Sequence, residues 1–216
     1  MKILSYFSYI DYGTVYVYDT TYYEEGEKPC FFKDVHGSQG FFAWPGMFVF
    51  FIITDNSPIH IDVFINEQAH FDERTIRAIQ VPFKVIGDEG MVVEPLMGES
   101  RSLAIPKGEY ALVFEQSYMN KWTEADMELD STDPLFLAYK ETWDVPKMKA
   151  EFAEADGVGI DEVYLMPMVM SRIWITPASN VEAKILVQDM GANSNYPLNP
   201  VYPLVIDEPP KNILKR

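Results

Sequence analysis

The stretch Ile59-His60-Ile61-Asp62-Val63-Phe64-Ile65 alternates, with Ile59, Ile61, Val63 and Ile65 on one face and other side chains between them. A period of two marks an extended strand with one buried face, because successive side chains point to opposite sides. The pattern recurs: Ile79, Val81, Phe83 and Val85 share a face, as do Tyr110, Leu112 and Phe114. Val181, Ala183, Ile185 and Val187 alternate with polar residues, and strand composition also fills Thr14 to Tyr18, Met91 to Leu96 and Val163 to Ile175. Met47 to Thr54 is apolar on both faces, which predicts a central strand. Asp55-Asn56-Ser57-Pro58 has turn composition and predicts a hairpin joining that strand to Ile59–Ile65. Further turns are expected at Gly87-Asp88-Glu89-Gly90 and at Pro106-Lys107-Gly108, and Pro82 inside a strand predicts an edge or a bulge. The expected class is mainly β, an antiparallel β-sandwich.

Residues 117–162 differ in composition and are expected to form a helical, acidic insertion. Asp133-Pro134 has the order of a helix start, with Leu135, Phe136 and Tyr139 as its stripe. A second helix is predicted from Val145 to Ala155, stopped by Gly157 and Gly159. Beyond Met190 the chain is rich in Pro and Asn and predicts an extended Pro-rich C-terminal tail. The expected organisation is therefore 1–116 as the sandwich, 117–162 as the acidic segment, and 163–216 as strands and tail packed on the same domain.

The chain of 216 residues holds 33 acidic and 17 basic side chains, for a formal charge of −16. Binding a phosphate backbone by charge needs a basic face, so no nucleic-acid partner is predicted. At 48 % hydrophobic residues the chain is too apolar for a disordered acidic tail. The single cysteine, Cys30, cannot close an internal disulfide and reads as a small buried hydrophobe, with His36 as its sole histidine neighbour in sequence. The apolar runs are too short for a membrane span, and no signal peptide is legible, so the expected location is the cytoplasm.

Motifs for phosphate loops, dinucleotide folds and nucleophile elbows are absent, Gly157-Val158-Gly159 being a fragment in the wrong context. His60-x-Asp62 places two metal-ligand types on one strand face, or equally the solvent face of a half-buried strand. No catalytic set, metal site or cofactor is predicted. The most informative cluster is Glu124, Asp126, Glu128, Asp130 and Asp133, with no basic residue among them. Over residues 121–162 twelve acids meet four bases, half of the net charge in a fifth of the chain. An EF-hand fails, since counting from Asp126 its sixth and twelfth positions hold Ser131 and Leu137. Calcium held between sandwich loops, a glycosidase carboxylate pair, a solvated acidic loop and an acidic docking surface are the readings left. Aromatic residues crowd the N-terminus, and Tyr22-Tyr23, beside Glu24-Glu25 in an expected loop, are candidate interface aromatics.

Val81-Pro82-Phe83-Lys84-Val85, Val93-Glu94-Pro95-Leu96-Met97 and the run from Leu103 to Leu112 together resemble the competence protein J family. Gly40-Phe41-Phe42-Ala43, Pro45-Gly46 and Tyr9 to Tyr18 look like its early strands at compatible spacing. The resemblance spans residues 6–116, and its sharpest part, Ile105 to Tyr110, is a tight turn between strands. It implies an inhibitor of a bacterial DNA-entry nuclease. Family members are expected to end soon after the equivalent of Phe114 plus one or two strands, whereas about 100 residues follow here; the acidic cluster lies in that extra part, so only framework positions carry over.

The leading expectation is thus a non-enzymatic inhibitor or immunity-type protein that occludes a basic partner, a nuclease or toxin. Glu124, Asp126, Glu128, Asp130 and Asp133 would form its charged face. The alternative is a β-sandwich module binding calcium or carbohydrate.

Overall fold

Strand formation begins at the first residues and dominates the described part of the chain. In a computed structural model the described residues are 1–10, 13–22, 34–44, 46–53, 57–96, 98–118, 169–189 and 198–206. In chain order the elements are β1 (Lys2–Ile10), β2 (Thr14–Asp19), a single 3-10 turn (Thr20–Tyr22), α1 (Asp34–Gln39), β3 (Phe41–Trp44), β4 (Met47–Phe51) and β5 (Ser57–Ile65). They continue with β6 (Thr75–Val85), β7 (Met91–Pro95), β8 (Arg101–Leu103), β9 (Gly108–Tyr118), β10 (Val169–Pro177) and β11 (Lys184–Val187). The two helices expected near Pro134 and from Val145 to Ala155 lie outside the described residues.

Two sheets face each other across one core. One has six strands in the order β1-β5-β10-β9-β6-β11, the other five in the order β3-β4-β2-β7-β8. The alternating apolar positions fill the space between them. Ile59, Ile61, Val63, Ile79, Val81, Phe83, Leu112 and Phe114 from the larger sheet meet Val15, Val17, Phe41, Phe48, Phe50 and Val93 from the smaller. Phe50 stacks on Phe114 with centroids 4.3 Å apart and planes 2° from parallel, joining the sheets at the centre. The five-stranded sheet is apolar on its outer face as well, where Tyr16, Tyr18, Phe42, Met47, Val49 and Val92 form a second buried cluster. That is why Met47 to Phe51 reads as apolar on both faces.

Two expectations are corrected. The predicted hairpin between Met47–Thr54 and Ile59–Ile65 does not form, because β4 and β5 belong to different sheets. After β4 the chain changes layers: Ile52 N–H donates to the Gly13 carbonyl at 2.7 Å, and Ile53 N–H to Gln116 Oε1 at 2.8 Å. The same Gln116 donates from Nε2 to the Phe51 carbonyl at 2.8 Å, so one side chain holds both sides of the crossover. Two strands with apolar inner faces bury more by opposing each other across the core than by lying side by side. Secondly, the sheets are not wholly antiparallel. β10 runs parallel to β5 and antiparallel to β9, and is buried along most of its length, as a central strand with covered faces should be. Pro82 lies just past Gln80, where the pairing of β11 with β6 ends, on a flank of β6 that no described strand occupies.

The described C-terminal stretch is tied to the end of the core. Arg77 and Asp189 form a fully buried ion pair at 2.6 Å, and Asp189 Oδ1 accepts the Leu198 N–H at 2.8 Å. Gln39 pairs with Val205 as a strand residue would, its amide donating to the Val205 carbonyl and accepting the Val205 N–H, both at 2.8 Å. Gly40, at φ 80°, is the hinge between α1 and β3, and a Cβ there would sit 2.6 Å from Leu198 and 2.8 Å from Ile79.

Candidate partner-binding surface

Glu124, Asp126, Glu128, Asp130, Asp133 and Tyr23 lie outside the described residues. Tyr22 closes the 3-10 turn that follows β2. What the structure does give is the base of the acidic segment. Tyr118 and Val169 are Cα partners at the ends of the neighbouring strands β9 and β10, so the chain from 119 to 168 leaves and re-enters the sheet at one place. The entropic cost of closing such a connection grows only slowly with its length.

Close to that place the outer face of the six-stranded sheet carries a row of charges. Ser5, Asp62, Arg172 and Glu115 occupy directly opposed positions on β1, β5, β10 and β9. Lys2 Nζ donates to Asp62 Oδ2 at 2.6 Å, while Arg172 Nη1 lies 3.3 Å from both Glu115 oxygens and 3.6 Å from Asp72. Thr75 Oγ1 donates to Glu115 Oε1 at 2.6 Å. Glu115 is fully buried, and burial raises its carboxyl above the usual range, with the Thr75 hydrogen bond and Arg172 acting in the opposite direction. Beside this row Trp174 stacks on Phe64 and meets His70 and Phe71 edge-on, pinning the loop after β5 against the sheet.

The His60–Asp62 pair is resolved by this geometry. His60 Nε2 lies 3.1 Å from Ser5 Oγ and 3.7 Å from Asp62 Oδ1, and Nδ1 lies 3.1 Å from Met170 Sδ. In a serine triad the carboxylate holds the ring nitrogen opposite the one facing the hydroxyl. Here hydroxyl and carboxylate crowd the same nitrogen, so the ring is not oriented for base catalysis. Burial lowers the His60 pKa, opposed by Asp62 and aided by Lys2 and Arg172, which favours the neutral ring. Among the described residues no group of three His, Cys, Asp or Glu side chains could hold a metal ion. Nor is any helix among them long and apolar enough to cross a membrane. Lys2, Arg172, Asp62 and Glu115 neutralise one another across four strands, and the row's chemistry is clamping.

Asp19 is a second buried acid that sequence reading missed. At the end of β2 its Oδ1 accepts the Thr21 N–H at 2.8 Å, and its Oδ2 accepts those of Ile86 at 2.8 Å and Gly87 at 3.1 Å. Burial alone would raise its pKa, but the hydrogen bond from the Thr21 side chain, together with these backbone N–H groups, outweighs burial and holds it below the ordinary value. The signal was an aspartate at the end of a strand-forming run, where carboxylates take up free backbone N–H groups. Its partners at Ile86 and Gly87 are too distant in sequence to be read.

The comparisons agree with this architecture. A family model, Competence protein J (ComJ), matches residues 8–134. The fold resembles the crystal structure of ComJ from Bacillus subtilis, an inhibitor of the DNA-degrading activity of NucA. The TM-score is 0.51 at 14 % identity, over 82 % of this chain and 98 % of that one. A second solved structure, described as crocagin biosynthetic gene J, aligns at 13 % identity over 81 % of this chain and 99 % of that one, with a TM-score of 0.36. No curated protein sequence matches. One expectation changes. The family match runs past residue 116 and takes in Glu124, Asp126, Glu128, Asp130 and Asp133. The structural likeness also extends well past residue 116, since four-fifths of this chain aligns with nearly all of the Bacillus subtilis ComJ chain. The family model covers residues 8–134, more than half of the sequence, and contains the framework segments: the chain belongs to the competence protein J family.

Proposed function

We propose that the protein is a non-enzymatic inhibitor that binds a DNA-degrading nuclease and occludes its active cleft. Membership of the competence protein J family is the observation that carries this reading. The role of Bacillus subtilis ComJ, an inhibitor of NucA, gives it its direction. The internal neutralisation of the Lys2–Asp62–Arg172–Glu115 row, and a His60 ring crowded on one nitrogen, support a binding role over a catalytic one.

The charged face is assigned to Glu124, Asp126, Glu128, Asp130 and Asp133. A cleft that attracts a phosphate backbone also attracts clustered carboxylates, which act as a decoy and speed encounter. This decoy requires a nuclease that is basic around its cleft, and the protein itself is assigned to the cytoplasm. The test uses the immobilised protein and an extract of its source cell. DNA-degrading activity should be retained at low salt and released at high salt, and the retained enzyme should be inhibited when the protein is added back. Activity that passes through the column undiminished, and is unaffected by added protein, would contradict the reading.

A further inference from the structure

Among the described residues the large hydrophobic side chains that stand exposed are Met1, Phe71, Val201, Tyr202 and Ile206. Phe71 already packs edge-on against Trp174. Three of the remaining four fall within six consecutive residues, with Val201 71 %, Tyr202 60 % and Ile206 45 % exposed. Single exposed apolar residues are ordinary, whereas several on one short stretch make it a candidate for contact with another molecule.

This stretch is held from both sides. Leu198 and Leu204 are buried in the main core at 4 % and 9 % exposure. The Leu198 N–H is bonded to Asp189, itself fixed by Arg77, and the Leu198 carbonyl accepts from Gln188 Nε2 at 3.1 Å. Asn199 N–H donates to the Ser38 carbonyl at 2.9 Å, and Val205 is locked by the two bonds to Gln39. The backbone is thus fixed at 198, 199 and 205, and the Leu204 side chain sits in the core, while the side chains at 201 and 202 are exposed. A loop ordered before binding loses little further entropy on association, and a presented tyrosine offers large contact area with few torsions.

We propose that residues 201–206 are an apolar docking strap, and that its occupant is the basic nuclease of the preceding section. The inference rests on that functional reading and adds a second contact to it. The choice of occupant follows from charge. At −16, two copies of this chain repel each other, so an exposed apolar strap on such a molecule is best covered by a cationic protein. The strap and the acidic cluster then divide the work. Charge sets the rate of encounter, and Val201 and Tyr202, desolvated against the partner, set the rate of escape.

The test compares wild type, the double variant V201S/Y202S and the single variant I206S, all in the full chain, against the nuclease retained from source-cell extract. The double variant should raise the dissociation rate at least tenfold and change the association rate less than about threefold, with an unaltered unfolding midpoint. I206S, outside the pair, should shift the dissociation rate in the same direction and guards against a folding defect in the double variant. Wild-type rates in both variants would overturn the strap and leave the inhibitor reading intact. Sedimentation showing a wild-type dimer that V201S/Y202S dissociates would overturn it in favour of a second copy. Failure of the wild type to bind any nuclease would instead remove the functional reading, and the strap's assignment with it.

Discussion

Asp19 shows how a buried charge stabilises this fold without an ionic partner. Three backbone N–H groups, from Thr21, Ile86 and Gly87, converge on one carboxylate with no solvent contact. Asp19→Asn keeps the shape but turns one acceptor into a donor facing N–H groups, and should cost about 2 kcal/mol in a urea titration. Because the folded pKa is depressed, this stabilisation is complete above the unfolded value near pH 4 and is lost as pH falls through the folded value. His60 acts in a higher window. Its folded pKa is also lowered, so stability begins to fall once pH drops below about 6.5 and levels off below the folded value. Melting curves from pH 7 to 3 should therefore show two descents, the upper one flattened by His60→Gln and the lower by Asp19→Asn. A second residue-scale test concerns Gly90, at φ 81°, where a Cβ would press on the Leu103 carbonyl and approach Ile105 N to 2.7 Å. Both neighbours are backbone and cannot yield, so Gly90→Ala should destabilise by more than about 2 kcal/mol and lower the unfolding midpoint by several degrees.

At the scale of elements, the ion pair Arg77–Asp189 joins β6 to the chain that precedes the strap. Removing one partner alone strands a charge in the core, so Arg77→Met should cost about 3–5 kcal/mol. The double variant R77M/D189L removes both charges and should recover much of that loss in the same denaturation experiment. How far the elements were legible follows from their periodicity. The inner faces of β5, β6 and β9 could be read because each keeps a strict period of two through its core positions. β1 could not, since a register shift between Lys2 and Leu4 breaks its parity and leaves Ile3 and Leu4 both partly buried. The hairpin between β4 and β5 failed for a different reason. Turn composition at 55–58 signals a change of direction but carries no information about which sheet receives the next strand. The charged row was illegible because Lys2 and Asp62, or Arg172 and Glu115, meet only once the strand order is known.

For the molecule as a whole, charge is distributed unevenly, half of the −16 lying between residues 121 and 162. The acidic cluster was legible as a cluster because it needs no tertiary information. That it falls within the family's own extent was not, because the recognised framework segments stop at residue 116 and the family match continues to 134. If those acids steer a basic nuclease, E124Q, D126N and E128Q combined should slow association about tenfold at low ionic strength. The same triple variant should leave the dissociation rate nearly unchanged and flatten the dependence of the association rate on salt. The most direct test of the account is the rate of DNA cleavage by the retained nuclease, measured as the protein is titrated in at low salt. Occlusion of the cleft requires a linear fall to near zero at one inhibitor per enzyme, relieved as salt is raised. A cleavage rate that stays constant through a tenfold excess of the protein would contradict it.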